Sequence, residues 1–191
     1  STAGVLTKSG TGTMIVSGNN TYAGATNITG GTLRLGAANR IANGSILSVN
    51  SGATFDLNSF SETISSITSA GSVVFGTGAT LTTSGAQNYT GTVSGTNVSL
   101  VSTGGGAITA TNAANDFIDA LALSTTGAAN VVDANNLTLG TTGVSTIAAR
   151  APNGILTLDG QVTASATSGT SITLQGGTDF VNNFGATALQ T

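Results

Sequence analysis

Residues 5–36 read VLTKSGTGTMIVSGNNTYAGATNITGGTLRLG, and this stretch decides the fold. Short β-type runs at 13–17, 27–29 and 32–35 are separated by Gly and Asn clusters, the residues that supply sharp corners between strands. Apolar residues alternate within the runs, as in Met14 and Val16 or Leu33 and Leu35, so each run offers a hydrophobic stripe one strand wide. A stripe that narrow cannot make a core alone. It must stack on copies of itself, which is the pattern of a solenoid.

The same residues resemble a known family, the autotransporter-associated β-strand repeat of large secreted bacterial surface proteins. Its pattern is roughly L-T-K-x-G-x-G-T-L-x-L-S-G-x-N-T-Y-x-G-x-T-x-I-x-x-G-T-L-x-L. Leu6, Thr7, Lys8, Gly10, Gly12, Thr13, Ser17, Gly18, Asn20, Thr21 and Tyr22 match its first half. Gly24, Thr26, Ile28, Gly31, Thr32, Leu33 and Leu35 match its second, and Met14 stands at a usual Leu. The resemblance implies an all-β, right-handed parallel β-helix, secreted to the bacterial cell surface and held extracellularly at the outer membrane. It also implies that the folding of stacked rungs outside the membrane helps draw the chain outward.

Composition agrees with a folded β-solenoid. The 191 residues include 28 Gly, one Pro and no Cys, His or Trp, and only 6% are charged. Disordered chains combine low hydrophobicity with high net charge, whereas this one is 39% hydrophobic with a net charge of -3. Its surface is therefore solvated by Ser, Thr and Asn. Four cations, Lys8, Arg34, Arg40 and Arg150, are too scattered to form a nucleic-acid footprint or to bind an anionic membrane surface. No apolar run is long enough to cross a membrane as a helix, and the first residues carry no secretory signal. The absence of Cys excludes disulfides and thiolate metal sites.

Beyond a linker-like segment at 37–45, Ile46, Leu47 and Val49 with Phe55 and Leu57 form the next rung. Ile64, Ile67, Val73, Phe75 and Leu81 follow at strand spacings. The Gly-(Ala)-Thr-apolar starts place Met14, Leu33, Phe55 and Leu81 at equivalent positions, 19, 22 and 26 residues apart. A circuit of about 22 residues gives roughly eight or nine rungs and a rod about 40 Å long. Leu, Ile, Val and Phe are expected inside; Thr, Ser and Asn outside. Residues 113–141, with their Asn-Asp-Phe motif, and 177–189 resemble repeats of filamentous-haemagglutinin-like giant adhesins. The expected organisation is a solenoid at 1–87 carrying the repeat, continued by 88–191 in one rod excerpted from a longer chain, with two packed solenoid blocks joined at 84–92 as the alternative.

Candidate sites each compete with a plainer role. Asp116, Asp119, Asp133, Asp159 and Asp179 could pair for acid–base work on a glycosidic bond, as in β-helix polysaccharide enzymes, or be solvated turn residues. Calcium at the turns would need a Gly-Gly-x-Gly-x-Asp repeat, and Gly104, Gly105 and Gly106 are followed by Ala-Ile-Thr. Gly10-x-Gly12 precedes a strand and lacks the helix N-terminus of a phosphate loop. Tyr22 and Tyr89 could stack on sugars or pack over corners. N-x-Ser/Thr sites at Asn19, Asn27, Asn43, Asn88, Asn97 and Asn136 follow from composition, and no Arg-Gly-Asp occurs.

The reading assigns no catalytic, cofactor-binding or metal-ligating residue. It expects a non-enzymatic stalk of a surface adhesin whose partners are surface glycans or proteins of host or neighbouring cells. Copies of itself joined end to end, in a filament or biofilm matrix, are the alternative partner, and neither nucleic acid nor membrane insertion is expected.

Overall fold

The computed structural model describes residues 4–166, 172–183 and 189–190. Those residues form parallel strands and turns, with no helix among them. The first face stacks β1 (Leu6–Lys8), β3 (Thr26–Ile28), β5 (Ile46–Val49), β8 (Ser66–Ser69), β11 (Gln87–Tyr89), β14 (Ile108–Ala110), β17 (Ala128–Val132), β19 (Thr146–Ala151) and β22 (Ile172–Gly176). The second stacks β2 (Thr13–Val16), β4 (Gly31–Leu35), β6 (Ala53–Asp56), β9 (Ser72–Thr77), β12 (Val93–Thr96) and β15 (Asp116–Ile118). The third begins one turn later with β7 (Glu62–Ile64), β10 (Thr80–Thr83), β13 (Ser99–Ser102), β16 (Ala120–Thr125) and β18 (Leu137–Val144). There it divides. β20 (Ile155–Leu158) and β23 (Asp179–Asn182) continue the first half of β18, while β21 (Val162–Ala164) and β24 (Leu189–Gln190) continue the second.

The chain is thus a β-solenoid of about nine turns, as the repeat logic of residues 5–36 requires. Along the first face, Leu6 pairs with Thr26, then Leu47, Ile67, Gln87, Ile108, Ala129, Ile147 and Ile172. The advances are 20, 21, 20, 20, 21, 21, 18 and 25 residues, so most circuits are slightly shorter than the expected 22. In the 18-residue circuit the chain passes from β17 directly to β18, and from there on no described strand is added to the second face.

Inside, equivalent side chains stack in ladders. Leu33 pairs with Phe55 and with Met14, which is 38% exposed on the terminal strand, as the Thr-apolar alignment requires. The alignment fails at the next step, because Phe55 pairs with Val73. Leu81 lies on the third face, between Glu62 and Leu100. The same Gly-x-Thr-apolar corner opens strands on two faces, so the motif does not specify which. Ile46 also differs from expectation: it points outward at 53% exposure, and Leu47 and Val49 carry the inward pattern of β5. Burial of each such Leu, Ile, Val or Phe contributes about 1.5–3 kcal/mol, which makes these ladders the main cohesive term.

Not every polar residue faces water. Thr83, Ser102 and Thr125 form a buried ladder beside the third-to-first corner. Thr83 and Ser102 both donate to Gly85 O, at 2.7 and 2.9 Å, and Thr125 donates to Gly106 O at 2.8 Å. Corner carbonyls turn inward there, and short hydroxyl side chains satisfy them.

Candidate functional site

The residues singled out from sequence fall into two groups, those consumed by the scaffold and those left on its surface. Lys8 belongs to the first. It is buried, and its Nζ donates to Ser9 O at 2.7 Å and to Gly10 O and Gly30 O, both at 2.9 Å. One ammonium thus ties the first corner to the corner stacked on it. Gly31 completes that junction: its φ is 64°, and a Cβ would overlap Gly10 O and Gly12 O and press on Lys8 Nζ. Gly104 and Gly106 share the lack of space for a Cβ, packed against the backbone of residues 84–86.

Tyr89 is a correction to the corner reading. It lies inside β11, fully buried, and its hydroxyl donates to Gln87 Oε1 at 2.8 Å. Gln87 Nε2 in turn donates to Val101 O at 2.8 Å and Leu81 O at 3.1 Å. Burial pushes the Tyr89 hydroxyl far above its ordinary pKa and removes the ring from any ligand. Tyr22 does pack over its corner, half-buried against the core, with its hydroxyl hydrogen-bonded to Thr26 Oγ1.

The carboxylates separate sharply. Asp133 is fully buried; Oδ2 accepts the Phe117 N–H at 2.7 Å and Oδ1 the Asn135 N–H at 2.8 Å. Burial, with a smaller push from the Asp116 charge, raises its pKa against the pull of those two donors. Glu62 does the same work at the other end of the fold. Its Oε2 accepts the Arg40 and Ile41 N–H groups at 2.8 and 3.2 Å and Oε1 accepts Thr63 N–H at 3.1 Å, while burial pushes its carboxyl up. Asn115 is a neutral counterpart. It accepts Val93 N–H at 2.8 Å and donates to Ala110 O and Val132 O, both at 2.9 Å, so one amide joins three successive turns.

Glu62, Asn115 and Gln87 were not singled out from sequence. The available signal was a polar residue at an inward position of the period-2 pattern, which is otherwise costly. Asp56, largely buried, pairs with the exposed Arg34 directly across the ladder, Nε to Oδ2 at 2.7 Å, and its Oδ1 accepts the Asn58 N–H at 2.8 Å.

Among the described residues, two surface grooves enclose about 420 Å³ each. One gathers Asp119 and Asp159, 40 residues apart in sequence, with Asn97, Thr138, Thr157 and Asn183. Asn183 Nδ2 reaches Asp159 Oδ1 at 3.5 Å. Asp116, sequence neighbour of Asp119, is not among its lining residues. The other carries no charge: Val101, Ser124, Thr126, Val144 and Thr163 line it, with Gly143 opening its floor. Among the described residues no three His, Cys, Asp or Glu side chains gather to hold a metal ion.

Comparison with known proteins agrees with this organisation. The sequence model of the passenger-associated transport repeat matches residues 6–35. The adhesin BmaC autotransporter of Brucella suis biovar 1 (strain 1330) is 41% identical over 101 residues, 48% of this chain. The chain spans about 3% of that relative's length. No solved structure matches the chain. Residues 6–35 match the passenger-associated transport repeat, and the chain that carries them is similar to an autotransporter adhesin.

Proposed function

We propose that this chain is a non-enzymatic segment of a secreted surface adhesin, a stiff rod that holds weak binding surfaces away from the cell. The observation that carries the reading is the unbroken first face, nine parallel strands from Leu6 to Gly176, beginning in the transport repeat. That face passes through β11, at the division between 1–87 and 88–191, and both parts act as one rod about 40 Å long. Its likeness to an adhesin passenger supports export to the bacterial surface. The use of Glu62 and Asp133 as main-chain acceptors supports a structural role for its buried acids.

The exposed grooves are where recognition belongs. Hydroxyl, amide and carboxylate groups at 420 Å³ grooves suit the hydroxyls of surface glycans or the backbone of surface proteins. Single contacts of this kind are weak. Presented many times on one surface, they add through effective concentration, with gains on the order of 10²–10⁴.

The test compares particles bearing one copy of the purified chain with particles bearing many, scored for retention on glycan arrays and cultured cells. Retention that rises much faster than copy number supports multivalent adhesion. No retention at any density removes adhesion from this segment and leaves it a spacer. Fibre growth from the purified chain would instead favour an extracellular filament.

A further inference from the structure

Two Asn-Gly pairs occur in the sequence, Asn43-Gly44 and Asn153-Gly154, and the fold treats them oppositely. In such a pair the glycine nitrogen can attack the asparagine side-chain carbonyl. The carbonyl carbon gains a bond to that nitrogen, which loses its proton to water, and the side-chain nitrogen leaves as ammonia. Water then opens the cyclic imide at either carbonyl, giving aspartate or isoaspartate. No oxidant or reductant is needed. The step requires a free glycine N–H, a mobile asparagine side chain and room for the ring.

Asn43-Gly44 has all three. Both residues are exposed in the turn before β5, neither the Asn43 side chain nor the Gly44 N–H has a hydrogen-bond partner, and the space around the Gly44 Cβ position is open. Ser45, immediately after, is anchored by its N–H to Ala42 O at 2.8 Å and by its buried hydroxyl to Thr26 Oγ1 at 2.8 Å. The tip is therefore free while its base is held. Asn153-Gly154 is locked. Gly154 is buried, its N–H donates to Ala151 O at 3.2 Å, and its carbonyl accepts from Gly177 and Thr178. A Cβ there would overlap the Asn135 backbone, so the loop cannot swell to form the ring without opening.

We propose that Asn43 is a built-in site of spontaneous deamidation, in the corner that follows the transport repeat, and that Asn153 is protected by the fold. Conversion places a new carboxylate in the corner between the second and third rungs. Its isoaspartate form also inserts a methylene into the main chain next to the buried Ser45.

The test is incubation of the purified chain at mildly alkaline pH and 37 °C. Peptide mapping by mass spectrometry at intervals follows both asparagines, in buffer and in strong denaturant. In buffer, Asn43 converts at least about tenfold faster than Asn153, the factor that about 1.4 kcal/mol of local opening imposes. In denaturant the two rates converge. Asn43→Gln abolishes the fast site and leaves the slow one unchanged. Equal rates in buffer, or faster conversion at Asn153, would overturn the proposal. So would a tenfold difference that persists in denaturant, since local sequence and not the fold would then set the rates.

Discussion

Asp133 Oδ2 accepts the Phe117 main-chain N–H at 2.7 Å, taking the ladder position that another strand of the second face would occupy. β15 is the last strand of that face among the described residues, and the carboxylate ends it without leaving a buried N–H unpaired. Replacing Asp133 with Ala removes both acceptors, so Asp133→Ala should cost about 1–3 kcal/mol, read as a lower urea midpoint. Asp133→Asn keeps one acceptor oxygen and should lose less. Equal losses would mean that the single oxygen kept by Asn holds nothing in place and that both carboxylate oxygens are needed together.

Glu62 and Asp133 also set a pH dependence. Burial raises both pKa values above their unfolded values, so their contribution is fully present below the ordinary carboxylate range of about 4 and is lost as pH rises through the folded values. Relative to the variant with Glu62→Gln and Asp133→Asn, the native chain should gain stability as pH falls from 7 towards 4.5. Urea midpoints across that range check it. A native chain that loses ground to the variant on acidification would reverse the sign.

Tyr89 offers a spectroscopic check on the interior. Its hydroxyl is buried and its pKa lies far above the ordinary phenolic value, so in a Tyr22→Phe background no phenolate should form until the chain unfolds. Alkaline absorbance and circular dichroism should then change together. Phenolate absorbance that rises before unfolding would place the ring at the surface.

Core and surface positions on the second face should respond differently. Phe55 is fully buried between Leu33 and Val73, and Phe55→Ala should cost about 3–5 kcal/mol. Ile15, on β2, is 60% exposed, and Ile15→Ala should fall within about 0.5 kcal/mol of the native chain. Denaturant titration of both variants tests the inward–outward assignment of the ladder.

Much of this fold was legible before any coordinates. Leu33 and Phe55 stack as their shared Thr-apolar context implies, because one corner chemistry repeats at nearly constant spacing. Leu81 was misplaced for the same reason, since an identical corner begins a strand of another face. Period-2 alternation marks Gln87, Tyr89 and Glu62 as inward, yet cannot tell which backbone groups await them inside. Those partners, such as Val101 O for Gln87 or the Arg40 N–H for Glu62, lie on other rungs and follow only from register. Asp119 and Asp159 meet at one groove through stacking of circuits, which no local motif records. The resemblance at 177–189 falls partly on residues 184–188, outside the described residues.

The rod itself is tested most directly by a distance. Thr7 and Asn130 are exposed on the outer column of the first face, joined in register through Asn27, Ser48, Thr68, Asn88 and Thr109. The chain contains no cysteine, so Thr7→Cys with Asn130→Cys accepts one pair of spin labels without background. Six parallel steps of about 4.8 Å place the two backbones about 29 Å apart. Pulsed electron–electron resonance should give one narrow distribution near that value, widened only by the label arms. A broad distribution, or a mean tens of ångströms longer, would contradict a single stack of rungs and the presenting rod with it.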